Sequence, residues 1–269
     1  MSTDLEIAIE AARRAEDLIS ERFDRVLQSS KRHKIDKIAS ETDTEAEQII
    51  VDVLRSNTPY CTLGEESGWH AGSSARCWVV DPLDGTDNFV RGLGFFATSI
   101  ALMRGKDIIL GVVLNPISND LFHAESGAGA YLNGARLSVT SMRTMKTNPL
   151  IFLNSGHPST ARARSRTLFD RLHSWSQIRI LGPTALELCL LARGAGDSFI
   201  CSEDKLWDHA AGICIVREAG GTVTDWRGDP WHTSNHFVLA SNGSALHEKL
   251  VYHTRDLQID GPDFTRSDP

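Results

Sequence analysis

Apolar side chains in the first 28 residues recur at three- and four-residue intervals. Leu5, Ile9, Ala12, Ala15, Ile19, Phe23 and Val26 form the stripe of an amphipathic helix over residues 4 to 28, whose other face is solvated. A second helix is expected after Thr42, where Thr42 and Glu45 have capping-box spacing, with Ile49, Ile50, Val53 and Leu54 inward and Pro59 as its end. The period then shortens. Cys77 to Asp81, Phe95 to Met103, Ile108 to Leu114 and Leu121 to Glu125 read as strands between Gly, Asn and Pro turns, and Asn133-Gly134 as a hairpin turn. Strands in succession without intervening helices favour a mainly antiparallel sheet over a doubly wound parallel one.

The second half alternates. Leu150 to Leu153 and Gln177 to Leu181 are strand-like on either side of a helix near 160 to 174. A helix from Pro183, a strand through Phe199 and a helix beginning near Asp208 follow, the last stopped by Gly220-Gly221 before strands at Thr222 to Asp225 and Phe237 to Ser241. The pattern predicts layered α+β architecture, with sheets between helices. The 269 residues fold as one unit, either undivided or as two closely packed lobes at about 1–145 and about 146–255, with a loose polar tail from about Gln258.

Composition narrows the functional classes. With 41% apolar and 23% charged residues a core forms without disulfides. A net charge of −7 is repelled by nucleic-acid backbones and anionic membranes, so neither is an expected partner. A phosphorylated substrate meets the same repulsion unless bound cations reverse the field locally. Five cysteines (Cys61, Cys77, Cys189, Cys201, Cys214) without C-x-x-C spacing fit reduced thiols, four of them small core residues. The N-terminus carries too many charges for a signal segment, and a cytoplasmic protein is expected.

The informative segment is Trp78-Val79-Val80-Asp81-Pro82-Leu83-Asp84-Gly85-Thr86-Asp87-Asn88-Phe89. An apolar run closing on Asp-Pro predicts a buried strand that stops there, Pro82 ending its ladder. An EF-hand-like calcium loop is excluded, because Leu83, Gly85 and Thr86 stand at its third, fifth and sixth places. Asp81 and Asp84 are three apart, unlike the two-residue spacing familiar from aspartyl-nucleophile phosphatases, and a plain turn is the bland alternative. Gly64-Glu65-Glu66-Ser67 follows the short run Tyr60-Cys61-Thr62-Leu63, so acidic residues again lie past a strand end; alone they read as surface. In Leu206-Trp207-Asp208-His209-Ala210-Ala211-Gly212, Asp208 alone reads as a helix cap and His209 as a helix-surface residue.

In combination and in this order, G-E-E, D-P-L-D-G-T-x-N-F and W-D-x-A-A-G running into Glu218-Ala219-Gly220-Gly221 resemble the inositol monophosphatase family, from about Asp36 to Ser241. The resemblance implies the α-β-α-β-α sandwich of the inositol monophosphatase/fructose-bisphosphatase type. It also implies two, or with a weaker site three, Mg2+ ions. By position, Glu65, Asp81 and the Leu83 carbonyl would hold one ion, and Asp81, Asp84 and Asp208 a second. Glu66 would stand behind them or toward the third. Asp43 and Thr86 match the pair that orients and deprotonates the attacking water, although Asp43 also reads as a helix-start acid. Gly85 and Thr86 would offer backbone N–H groups to the phosphate.

Substrate positions match less well. The family's G-S-A-A is Gly182-Pro183-Thr184-Ala185, and its sugar-contacting glutamate falls on Cys201, with Glu203 and Asp204 nearby. Thr184, Cys201, Lys205 and Asp208 are the candidate substrate contacts, and Lys205 and Arg179 the candidate partners of an anionic or polar leaving group. His157, His232 and His236 show no metal spacing. The implied reaction is magnesium-dependent hydrolysis of a small phosphate monoester, inositol monophosphate first. Histidinol phosphate, a nucleotide 3'-phosphate or a sugar bisphosphate are alternatives within the same chemistry, and a regulatory binding protein is the alternative of another class. Family members are often lithium-inhibited homodimers, so both properties are expected by resemblance.

Overall fold

The computed structural model describes residues 2–140, 148–154, 159–243 and 245–258. Helix α1 (Thr3–Leu27) follows the predicted stripe, its first turn capped by the Ser2 hydroxyl, which accepts the Leu5 N–H at 3.2 Å. Helix α2 (Arg32–Asn57) begins eleven residues before the expected start. Thr42 is no cap but a buried mid-helix residue whose hydroxyl donates to the Ile38 carbonyl at 2.6 Å. The buried stripe is Ile38, Ala39, Thr42, Asp43, Ala46, Glu47 and Ile50. Three polar members interrupt the apolar rhythm, so the first half of the helix carries no amphipathic signature.

The first sheet is built from β1 (Cys61–Gly64), β2 (Gly68–His70), β3 (Arg76–Asp84), β4 (Ala97–Arg104), β5 (Asp107–Asn115), β6 (Asp120–Glu125), β7 (Gly129–Leu132) and β8 (Ala135–Arg136). Their order is β2-β1-β3-β4-β5-β6-β7-β8, antiparallel except for the parallel pair β1–β3. Asn133 and Gly134 both have positive φ, as a tight hairpin between β7 and β8 requires. The second sheet has the order β10-β9-β11-β13-β12, from β9 (Leu150–Leu153), β10 (Gln177–Arg179), β11 (Ser198–Ser202), β12 (Thr222–Thr224) and β13 (Phe237–Ser241).

Successive strand residues face opposite layers. Trp78, Val80, Ile100 and Leu102 pack with α1 and α2, whereas Val79, Ala101 and Met103 join α5 (Thr184–Ala192) and α6 (Leu206–Glu218). Phe199, Cys201, Val238 and Ala240 of the second sheet meet α5 and α6 from the other side. Ile151, Leu153, Ile200 and Leu239 point away, toward α4 (Ser159–Leu172) and α7 (Ala245–Thr254). The layers are therefore α-β-α-β-α, as expected. Both sheets are covered on both faces, which is why their strands read as unbroken apolar runs.

Three expectations fail for identifiable reasons. Strand β3 does not stop at Asp81. Its ladder runs to Asp81↔Ser99, skips irregularly around Pro82 and resumes at Asp84↔Ala97, a bulge that spares the missing proline N–H. His209 is not on a helix surface. Helix α6 lies between two sheets and His209 is 1% exposed, its ring edge-on to Trp231, with burial pushing its pKa down to about 3. Gln258 is not loose: it accepts from the Trp226 N–H and donates to Asp225. Residues 259–269, like His157, lie outside the described residues. Four of the five cysteines are buried as expected, Cys77 only partly. Among the described residues no helix is long and apolar enough to cross a membrane.

His247 on α7 ties the second sheet's edge together, its two ring nitrogens lying 2.8 and 3.0 Å from the Ser241 and Thr224 hydroxyls. Burial lowers its pKa from 6.5 to about 4. The unfolded chain thus takes up a proton at a pH where the folded one does not. Its contribution is undiminished above pH 6.5 and declines as pH falls toward 4, with a slope approaching about 1.4 kcal/mol per pH unit. In denaturation at pH 7 and pH 5, His247→Gln is expected to lose distinctly less stability on acidification than the parent chain.

Candidate active site

The parallel pairing of β1 and β3 ends with Gly64 beside Val80, and the Glu65 N–H donates to the Val80 carbonyl at 3.1 Å. Glu65 therefore emerges next to Asp81. The bulge then turns β3 so that Asp84 lies at the sheet's end, and Gly85 (φ 96°) leads into the short helix α3 (Thr86–Val90). A side chain at Gly85 would suffer the positive φ and bring its Cβ to 2.5 Å from Pro183. Phe89 anchors α3 from below, its ring 5.6 Å from Phe23 and 5.2 Å from Phe96, pairs that each contribute roughly 1 kcal/mol beyond their burial.

From the other half of the chain, the starts of α5 and α6 meet the same sheet end. Asp84 accepts the Ala185 N–H at 2.7 Å, Asp208 accepts the Lys205 N–H at 2.7 Å, and Asp81 accepts the Leu83 N–H at 2.9 Å. Each aspartate is thus aimed by one backbone donor, two of them at helix N-termini that favour negative charge. The Ser99 hydroxyl fastens β4 to the Trp207 carbonyl, holding α6 in register.

Around this junction lies a cleft of about 730 Å³. Asp43, Glu65, Asp81, Leu83, Asp84, Gly85, Thr86, Thr184 and Asp208, all singled out from sequence, line it. Four other candidates do not. Cys201 is wholly buried in β11, where burial and the Asp204 carboxylate push its thiol up. Lys205 and Arg179 are exposed, and Arg179 donates to its neighbour's carbonyl. Glu66 lines a separate small groove with Glu47, Gln48 and His70 on the outer side of α2, although its charge still reaches Asp43.

The carboxylates work against one another. Burial, then Asp84, Glu65 and Asp208, raise Asp81 well above the usual carboxylate range. Burial, then Asp208, raise Asp84, and burial, then Asp204, raise Asp208. Asp43 is pushed up to about 8 by burial and by Glu65, Glu66 and Glu47, and its Oδ1 is buried without a hydrogen-bond partner. A divalent cation would relieve all of this, and carboxylate plus carbonyl oxygen is the hard donor set that magnesium prefers. The residues fit such an ion in kind and line one cleft. Among the described residues no three His, Cys, Asp or Glu side chains already stand at the spacing of a finished metal shell, so closing on a cation requires side-chain adjustment.

Sequence reasoning missed part of the cleft wall. Arg32, Asp36 and Ser40 arrive on the unpredicted start of α2, and Arg162 on α4. Asp204 is buried and accepts the Thr184 hydroxyl at 2.6 Å, while Asn154 donates to the Gly182 carbonyl and the Thr184 hydroxyl. Asn88, in the quoted motif but without an assigned role, clamps two loops by donating to the Phe95 and Leu181 carbonyls.

Comparison with known proteins agrees with this geometry. The profile of the inositol monophosphatase family matches residues 1–258. The chain is 38% identical to the Nus factor SuhB of Pasteurella multocida, over 90% of this chain and 92% of that protein. It is 36% identical to the inositol-1-monophosphatase of Caulobacter vibrioides, over 92% and 99% respectively. The crystal structure of the extragenic suppressor protein suhB from Bartonella henselae superposes with a TM-score of 0.83 at 33% identity, over 94% of this chain and 99% of that one.

Because the aspartates repel one another, removing one charge should stabilise the protein when no cation is present. In EDTA, Asp84→Asn, which keeps an acceptor for the Ala185 N–H, is expected to melt no lower than the parent chain. The parent should gain several degrees on adding magnesium and Asp84→Asn clearly less. A large loss of melting temperature in EDTA would contradict the repulsion argument.

Proposed function

This chain belongs to the inositol monophosphatase family, and we propose that it is a magnesium-dependent phosphomonoesterase whose substrate is an inositol monophosphate or a close analogue. The observation that carries the reading is the gathering of Asp81, Asp84 and Asp208 on the wall of one cleft, the first two buried and the third half-buried, mutually repelling and each oriented by a backbone N–H. Glu65, Asp81 and the Leu83 carbonyl would hold one Mg2+, and Asp81, Asp84 and Asp208 a second, supplying positive charge to the phosphate oxygens and to the entering and leaving oxygens.

The protein's own groups divide the remaining work. Gly85 and Thr86, at the start of α3, offer N–H groups to the phosphate. Asp43 and the Thr86 hydroxyl, which donates to the Leu83 carbonyl at 3.1 Å, orient a water for in-line attack. The water oxygen forms the new P–O bond while the ester P–O bond breaks. Asp43 takes the water's proton, and the alkoxide released on the far side takes a proton from solvent water to leave as the alcohol. Asp208 and Thr184, the latter set by Asp204 and Asn154, face the leaving alcohol. A homodimeric, lithium-inhibited and cytoplasmic protein is the form this reading takes.

Two observations qualify the substrate. Cys201 does not reach the cleft, and Arg32 and Arg162 stand on its rim. That rim favours a leaving alcohol carrying a second anionic group, as in a sugar bisphosphate. The Pasteurella relative is named a Nus factor, so a separate macromolecule-binding role is the alternative of another class; it would survive Asp84→Asn while phosphate release would not.

Phosphate release should be measured with magnesium on inositol monophosphate, fructose 1,6-bisphosphate, histidinol phosphate and a nucleotide 3'-phosphate. Inositol monophosphate is expected to be turned over at least about tenfold more efficiently than the last two, a difference of about 1.4 kcal/mol in transition-state binding. Preference for the bisphosphate would favour the arginine rim. Turnover of histidinol phosphate alone would displace the inositol reading, and no magnesium-dependent release from any ester would end it.

A further inference from the structure

Glu47 lies one helical turn after Asp43 on the buried stripe of α2 and is 2% exposed. A buried carboxylate is costly unless its oxygens are satisfied. Both are: one accepts the Glu66 N–H at 2.9 Å and the other the Ser67 N–H at 2.7 Å. Those donors belong to the three-residue loop Glu65-Glu66-Ser67, which joins β1 to β2 between the paired residues Gly64 and Gly68. The loop is therefore pinned from two sides, by the Glu65 N–H on the Val80 carbonyl and by the Glu47 carboxylate on the next two N–H groups.

Gly64 makes this contact possible. A Cβ there would lie 2.4 to 2.6 Å from the Glu47 carboxylate atoms. The glycine of Gly64-Glu65-Glu66 is thus the space into which Glu47 fits.

We propose that Glu47 is the positioning residue for Glu65. It fixes the loop so that Glu65 is presented beside Asp81 before a cation arrives, and it links that loop to Asp43 through a single turn of α2. Glu47 touches neither the cleft nor a reacting atom, since it lines the small outer groove instead. The inference rests on the metal-site reading of Glu65 given above. Its consequence is specific: loss of the lock costs cation affinity through a looser Glu65, with the core of the fold left in place.

Magnesium titration calorimetry on the full chain tests this, alongside melting in EDTA. Glu47→Gln keeps the size of the side chain but sets an amide donor against a backbone N–H. It is expected to raise the magnesium dissociation constant about tenfold, within the range known for residues behind metal ligands. It should still unfold cooperatively, and KM at saturating magnesium should stay within about twofold. Gly64→Ala, which displaces the carboxylate from the other side, should shift the magnesium constant in the same direction. Amide exchange of the parent chain in EDTA needs no variant, and the Glu66 and Ser67 N–H groups should exchange far more slowly than open-loop amides. Unchanged magnesium affinity in Glu47→Gln, or free exchange of those amides, would overturn the proposal. If the parent chain itself takes up no magnesium, it is the metal-site reading that falls.

Discussion

Repulsion among buried carboxylates is the constraint around which this fold is arranged. Asp81, Asp84 and Asp208 each lose hydration and each raises the proton affinity of a neighbour, so nothing in their own interactions holds them together. The scaffold does so instead. A parallel strand pair, a proline bulge and the N-termini of two helices from the other half of the chain meet at one sheet end. Covering both sheets on both faces makes that junction rigid, because each element at the site is also part of a continuous apolar layer.

Much of this was legible in the residues, and the reason differs from element to element. Helix α1 was readable because its stripe is apolar throughout. The strands of both sheets were readable because double-sided burial leaves runs such as Ile100–Met103 and Phe237–Ala240 without polar interruption. The segment Asp81 to Phe89 was informative because two acids at a strand end, followed by Gly and Thr, suit oxygen chemistry better than packing. Chain order alone could not say that Glu65 and Asp208 come to the same place; that followed from the family resemblance.

The errors have a common cause, which is that polar residues in functional positions imitate loops and surfaces. Thr42, Asp43 and Glu47 occupy the buried stripe of α2, so the apolar pattern marks the helix only from its middle onward. His209 follows an acidic residue and reads as solvated, yet a helix between two sheets has no solvated face. Cys201 falls at the substrate only by its match to the family's glutamate position and Lys205 only as a nearby cation, whereas the cleft itself is lined by Asp204, Asn154 and arginines near helix starts. Where a site is built by strand ends its sequence is compact and readable, and where it is built by loops between helices it is not.

The decisive question is whether the gathered oxygens take up divalent ions. Crystals grown with Mn2+ in place of Mg2+ and measured at a wavelength where manganese scatters anomalously would answer it without reference to any substrate. Anomalous peaks are expected in the cleft, one ligated by Glu65 and Asp81 and one by Asp84 and Asp208, with both missing from Asp84→Asn crystals or reduced to one. A cleft free of anomalous density in an enzyme that still releases phosphate would contradict the carboxylate cluster as a metal site.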